Sequence, residues 1–184
     1  MAQPEAPGVV EAIQLITKTF HYKPAYNEVQ LYRYLQFSNP HEISKLLQEV
    51  QAGAEIQLAP GQRKIQSWTD SLEVAIEFGT NYSPIHGVVV SAPFWKDEIL
   101  VDLPNLGGVL RSQLGKVSIS QTVLYDAIEN LLIELGAKET ECEIIVNCGP
   151  KTVHEVWVSR IPNADMEVLE ESEDGWVRLA NQEL

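Results

Sequence analysis

The stretch KIQSWTDSLEVAIEF, residues 64–78, carries the clearest structural signal in the chain. Its first part, residues 64–69, has the apolar, aromatic and β-branched residues typical of a short strand. Asp70 or Ser71 then supplies a cap for LEVAIEFG, whose apolar residues recur at helical spacing. The stretch therefore predicts a strand that turns directly into a helix, with Ser67 on the strand.

Upstream of this stretch, apolar periodicity predicts two helices and one strand. The predicted elements are a helix at 9–20, a strand at 29–37 or a strand there that runs into a short helix, and a helix at 40–51 that ends before Gly53. The strand, VQLYRYLQF, is rich in aliphatic and aromatic residues and is closed by Ser38, Asn39 and Pro40. A turn is predicted around Pro60.

Downstream, the pattern predicts mostly strands, with one long helix between them. The predicted elements are strands at 86–92 and 98–103, a glycine-containing loop at 107–108, a helix at 120–135, strands at 141–148 and 153–159, and a hairpin at 166–180. The hairpin is expected to turn at Asp174 and Gly175. Since the strands are short and lack regular crossover helices, this order predicts an α+β fold and not a doubly wound parallel sheet.

Length and composition are consistent with one folded domain spanning residues 1–184. The chain has 184 residues, 45% of them hydrophobic, which is enough to bury a sizeable core. Its formal net charge is −13. An acidic surface of this kind repels phosphate backbones and anionic lipids, which argues against nucleic-acid or membrane partners.

The sequence also predicts a protein without a metal site that is cytoplasmic, with delivery into another cell left open. No apolar run approaches the roughly 20 residues that span a bilayer, and residues 1–20 lack the basic start of a signal peptide. The two cysteines, Cys142 and Cys148, are too few for a disulfide framework and are expected to be small apolar fillers. The four histidines are scattered, without the spacing of metal ligands.

Two carboxylates, Glu141 and Glu143, precede the apolar run Ile144–Ile145–Val146. In a continuous strand, alternate side chains share a face, so these two are expected to point the same way. Taken alone, the pair is more typical of a solvated strand end in an acidic chain. Arg33, between two tyrosines, is likewise typical of a structural ion pair, and Ser67 of an ordinary strand hydroxyl.

Together, these segments resemble the arginine–serine–glutamate type of ADP-ribosyltransferase. Arg33 matches an aromatic followed by arginine on the first strand of that family, and residues 67–69 match its S-x-[ST] strand. Ala75 and Phe78 match the helix that follows, and residues 141–143 match the E-x-E entry to a later strand. The three motifs occur in the family's order, across about residues 29–158. The departures are Trp68, inside the serine motif, and Tyr34, which stands where many members have glycine and would crowd the nucleotide.

The resemblance implies an enzyme that uses NAD as a substrate. It implies that Arg33 holds a phosphate of NAD, that Glu143 stabilises the ribosyl cation and that Ser67 positions Glu143. It further implies that Glu141 acts on an arginine acceptor, and that Phe78 or Tyr82 contacts the nicotinamide. These side chains are expected to line one NAD cleft between two small, mostly antiparallel sheets, with N-terminal helices and the helix at 120–135 beside them.

Three functions stay open at this point. The leading one is a mono-ADP-ribosyltransferase, toxin-like in size, that modifies arginine in a protein acceptor. The second is an NAD glycohydrolase on the same fold, in which water replaces the acceptor. The third is a non-catalytic interaction domain whose acidic surface binds a basic partner.

Overall fold

A computed structural model of the protein describes residues 18, 23–37, 39–52, 54–58, 65–82, 87–114, 142–159 and 168–179. Within them the fold is a mixture of helices and mostly antiparallel strands, which confirms the predicted α+β class. The strands are β1 (Glu28–Gln36), β2 (Gln57–Leu58), β3 (Ile65–Thr69), β4 (Gly87–Trp95), β5 (Ile99–Asp102), β6 (Glu143–Asn147), β7 (Lys151–Thr152), β8 (Glu155–Val158), β9 (Val168–Glu171) and β10 (Val177–Leu179). The helices are α1 (Pro40–Gln51), α2 (Leu72–Tyr82) and α3 (Leu103–Leu114). No helix in these described ranges is long and apolar enough to cross a membrane.

The chain divides into two compact units that interleave along the sequence. Unit 1 draws on the described residues within Met1–Val29, Gly61–Trp68 and Trp95–Cys148. Unit 2 draws on those within Gln30–Pro60, Thr69–Phe94 and Gly149–Leu184. The prediction of a single domain concerns the whole chain and stays a prediction.

Unit 1 is built on strands in the order β5-β6-β3, with α3 packed on β5 and β6. β5 and β6 are antiparallel, with Asp102 opposite Ile144 and Ile99 opposite Val146. Both β6 residues are almost fully buried. Their burial adds apolar area to the core of unit 1.

Unit 2 is built on strands in the order β1-β4-β8-β10-β9. The pairs β4–β8, β8–β10 and β9–β10 are all antiparallel. Val88, Val89 and Val90 of β4 are completely buried, so this strand is covered on both faces. The hairpin β9–β10 turns at Asp174 and Gly175 as predicted, with a φ of 74° at Gly175.

Two of the predicted helices lie in unit 2 and begin at capped ends. α1 spans the predicted residues, and the Asn39 side chain accepts a hydrogen bond from His41 N at 2.9 Å. α2 follows β3 as expected, and Ser71 Oγ accepts a hydrogen bond from Val74 N at 3.3 Å. Of the two caps considered for α2, the structure therefore uses Ser71.

The glycine-containing loop predicted at 107–108 is wrong, because both glycines lie inside α3. Asp102 Oδ1 accepts a hydrogen bond from Asn105 N at 3.0 Å and so caps this helix. Each glycine costs a helix about 1 kcal/mol relative to alanine. Burial of Leu106 within the core of unit 1, which contributes about 2 kcal/mol, offsets this cost.

The short antiparallel ladder β2–β7 in unit 2 was not predicted, since a two-residue strand leaves no periodicity in the sequence. Three other expectations lie outside the described residues: the helix at 120–135, the turn around Pro60 and, except for Lys18, the helix at 9–20.

A group of large side chains in unit 2, here called the Trp176 cluster, fixes how β1 packs. Its buried members are Ala75, Ile76, Val89, Trp157 and Trp176, and Tyr32, Tyr34 and Leu72 pack against them. Tyr34 and Trp176 meet edge to face, with ring centroids 6.5 Å apart. Glycines at 79 and 87 make room for these rings: a Cβ at Gly79 would lie 2.8 Å from Trp176 Cη2, and one at Gly87 would overlap the Tyr34 ring.

We expect Gly87→Ala to lower the free energy of unfolding by about 1–3 kcal/mol, the usual cost of overpacking a core. The cause is steric, because the added methyl group must displace Tyr34 from the Trp176 cluster. Urea unfolding followed by tryptophan fluorescence measures it.

The matched control is Gly108→Ala on the exposed side of α3, where an added Cβ meets no atom within 4 Å. This variant is expected to keep or gain stability, by up to about 1 kcal/mol. If both substitutions shift the unfolding midpoint alike, the packing described for Tyr34 is wrong.

Candidate functional site

Ser67 lies in the middle of β3, in unit 1, and its side chain is exposed. The next residue, Trp68, is 3% exposed, and its Nε1 donates a hydrogen bond to Gln66 Oε1 at 3.3 Å. Trp68 is therefore a core residue. Because side chains alternate along a strand, Ser67 points to the opposite, exposed face.

Glu143 is the first residue of β6, also in unit 1, and is half-buried. Strand alternation buries Ile144 and Val146 and leaves Glu143 on the opposite, less buried face. Because Ile144 is opposite Asp102, Glu143 lies one residue past the end of β5, at the level where α3 begins.

β3 and β6 are neighbours in the strand order of unit 1. The structure therefore brings Ser67 and Glu143 onto adjacent strands, each at a less buried position of its own strand. Adjacent strands in a sheet run about 5 Å apart.

The strand predicted to run from Glu141 begins instead at Glu143. Cys142 lies in a turn, with a φ of 46° in the left-handed region. A left-handed residue interrupts the two-residue alternation of a strand, so the rule that places side chains i and i+2 on one face does not apply across Cys142. Glu141 itself lies outside the described residues.

Arg33 lies on β1 within unit 2 and is half-buried. Its neighbours Tyr32 and Tyr34 both pack against the Trp176 cluster, so alternation directs Arg33 to the other face of the strand. Arg33 and Tyr34 therefore leave β1 on opposite faces, and the crowding of a nucleotide by Tyr34 stays a prediction.

The two aromatic residues expected near nicotinamide both lie on α2, in unit 2. Phe78 is 42% exposed. Tyr82 is the last residue of the helix.

A polar network in unit 2, here called the Glu155 network, escaped sequence analysis. Glu155 accepts hydrogen bonds from Ser91 Oγ and Trp157 Nε1, each at 3.3 Å, and from Arg178 Nη1 at 3.2 Å. Tyr32 also bonds to Glu155. The register explains this convergence, because Ser91 is opposite Glu155 and Trp157 is opposite Arg178.

Within the described residues, the Glu155 carboxylate has protein donors for its hydrogen bonds, whereas the buried Arg178 Nε has an ion-pair contact with Glu170 but no hydrogen-bond partner. Ser91 is fully buried and also accepts a hydrogen bond from Gln30 Nε2 at 2.7 Å. Buried polar groups require such partners, and the network gives each strand pair a fixed register. In the part of the chain that is described, no group of three or more His, Cys, Asp or Glu side chains is arranged to hold a metal ion.

Comparison with known proteins adds no relative: no family model, no curated protein and no solved structure matches this chain.

Burial raises the pKa of both tyrosines that flank Arg33, and the charge of Glu155 and its hydrogen bond raise that of Tyr32 further. A raised pKa in the folded state means that the neutral phenol is stabilised by folding. The contribution of this phenol to the free energy of unfolding is complete below its ordinary pKa of 10.0. It is lost as the pH rises above that value, toward the folded-state pKa.

As the pH rises from 9 to about 11, the free energy of unfolding is therefore expected to fall less for Tyr32→Phe than for the unaltered chain. At neutral pH the variant is expected to be weaker by about 1 kcal/mol, because the bond to Glu155 is gone. Urea midpoints across this pH range test both points. If the urea midpoints of the two proteins fall equally with pH, Tyr32 is exposed to solvent and the assignment of faces on β1 is wrong.

Proposed function

We propose that the protein is a mono-ADP-ribosyltransferase that transfers ADP-ribose from NAD to arginine in a protein acceptor. The observation that supports this most directly is the adjacency of β3 and β6, which carry Ser67 and Glu143 at less buried positions. The second support is the order of the three sequence motifs. NAD is the substrate in this proposal, and no metal takes part.

The reaction requires stabilisation of positive charge on the ribose. Breaking the bond from ribose C1′ to the nicotinamide nitrogen sends its electron pair to nicotinamide and leaves a cation-like ribosyl group. Glu143, as a carboxylate beside this group and bonded to the ribose 2′-hydroxyl, stabilises charge that exists only in the transition state. A half-buried position suits this role, because electrostatic interactions strengthen as water is excluded.

Ser67 and Arg33 have supporting roles in the proposal. The Ser67 hydroxyl donates a hydrogen bond to Glu143 and holds its carboxylate in one orientation. Arg33 binds a phosphate of NAD through its planar fork of N–H donors. A single guanidinium suffices for this in an acidic chain, since phosphate binding depends on local charge. Phe78 or Tyr82 provides an apolar surface for nicotinamide.

Glu141 acts on the acceptor. It takes a proton from the arginine guanidinium as a guanidinium nitrogen attacks C1′, so that the products are nicotinamide, ADP-ribosylated arginine and one proton. This role rests on the match of residues 141–143 to the E-x-E motif.

A second function, NAD glycohydrolysis, is favoured by one observation. Cys142 has a left-handed backbone, so the shared strand face on which acceptor activation by Glu141 was argued is interrupted. Hydrolysis needs Glu143, Ser67 and Arg33 but no carboxylate at 141, because water serves as the nucleophile. The two functions share cleavage of the NAD glycosidic bond.

Glu143→Gln is expected to reduce nicotinamide release from NAD at least about a hundredfold, the usual effect of removing one preorganised stabiliser of the transition state. NAD binding is expected to persist, because the amide is nearly isosteric with the carboxylate. The control is Glu77→Gln on the exposed face of α2, which is expected to leave release unchanged. Wild-type hydrolysis by Glu143→Gln would refute the catalytic assignment.

Arg33→Ala is expected to weaken NAD binding roughly tenfold or more, since a hydrogen bond to a charged group contributes about 1.5–3 kcal/mol. Calorimetric titration of NAD gives the dissociation constant, and urea unfolding checks that the fold is less disturbed than binding. Arg33→Lys keeps the positive charge but lacks the planar fork of N–H donors. Its affinity for NAD is expected to lie between those of the unaltered chain and Arg33→Ala. An unchanged titration for a folded Arg33→Ala variant would remove Arg33 from the site.

Glu141→Gln separates the two candidate functions. If Glu141 activates the acceptor, the variant suppresses arginine modification while hydrolysis of NAD to nicotinamide and ADP-ribose survives. Nicotinamide release and transfer of labelled ADP-ribose are measured on the same preparation. Loss of both activities together would show that the two glutamates do not divide the work in this way.

A further inference from the structure

β9 is an edge strand with an unusual surface. In the described part of unit 2 it ends the strand order and pairs with β10. All four of its residues are exposed, and Val168 and Leu169 are two of the few large apolar side chains exposed in the described residues, at 38% and 47%. An edge strand offers backbone donors and acceptors to another extended chain.

The register of the hairpin determines how the edge presents its side chains. Arg178 is opposite Glu170 and Leu179 is opposite Val168, so Leu169 is an extra residue at a bulge. Glu171 is opposite Val177. Along β9, two apolar side chains, Val168 and Leu169, are followed in chain order by two carboxylates, Glu170 and Glu171.

The charge around this edge is strongly negative. Glu170, Glu171, Glu173 and Asp174 are all exposed, whereas the described hairpin contributes one cation, Arg178, which lies 3.3 Å from Glu170. The whole chain carries a formal charge of −13. Two copies of the chain therefore repel each other, while an extended basic segment is attracted.

We propose that the β9 edge binds an extended basic segment of another protein by strand addition. The segment pairs antiparallel to β9, like the other ladders of known register in unit 2, and places two basic residues opposite Glu171 and Glu170. Apolar residues follow them and cover Leu169 and Val168. Backbone hydrogen bonds supply affinity, and the charge order supplies the preference for basic partners. This proposal is independent of NAD chemistry.

The test uses the full chain and a fluorescein-labelled peptide, acetyl-TKRIVT-amide, followed by fluorescence anisotropy without NAD. The expected result is saturable binding that is abolished when alternate peptide amides are N-methylated, a change that keeps the charge and blocks strand pairing. Glu171→Lys is expected to weaken binding about fivefold or more, because a like charge then stands opposite the peptide lysine. Glu77→Lys, with the same change of charge on α2, is expected to have little effect.

The decisive experiment exchanges the charges of the peptide and of residue 171. The peptide acetyl-TEEIVT-amide is expected to bind Glu171→Lys more tightly than it binds the unaltered chain. The proposal is overturned by failure of the basic peptide to bind, by equal binding of the N-methylated peptide, or by equal weakening in Glu77→Lys, which would indicate general attraction to an acidic protein. Sedimentation showing a dimer of the unaltered chain that Glu171→Pro dissociates would assign the edge to a second copy and also overturn it.

Discussion

The packing of Tyr34 against Trp176 is the constraint from which much of unit 2 follows. It requires two glycines, at 79 and 87, because any side chain there would occupy the space of the two rings. It also determines the two faces of β1, since a strand that buries Tyr32 and Tyr34 must direct Arg33 to its other face. The packing of the core therefore determines on which face of β1 the Arg33 guanidinium lies.

Much of this architecture was predictable, because it depends on local chemistry. β3 and α2 follow from an apolar strand pattern, a serine cap and helical spacing. α1 follows from an asparagine cap and a proline in the first turn, and the β9–β10 turn from Asp174–Gly175. Ser67 and Glu143 were chosen from sequence, and both lie on strands of unit 1 that are hydrogen-bonded neighbours. For these elements the local signal agrees with the tertiary structure.

The features that sequence reasoning missed depend on burial, capping, backbone conformation and strand register, which apolar periodicity does not reveal. Glycines 107 and 108 argue for a loop, yet burial of Leu106 and the Asp102 cap make this segment helical. The Glu155 network joins residues of four strands, and its members become neighbours only through the sheet register. Cys142 shows the same limit at the candidate site, because its left-handed conformation ends the alternation that had been extended to Glu141.

The functional account depends on whether the chain cleaves the glycosidic bond of NAD. The most direct measurement is incubation of the purified protein with NAD labelled in both its nicotinamide and adenine moieties, with and without a cell lysate. The account predicts nicotinamide release in either case, with adenine label joined to protein arginine when lysate is present. Release without protein labelling would favour the glycohydrolase. Intact NAD under both conditions, with a protein shown to be folded, would contradict the enzymatic account.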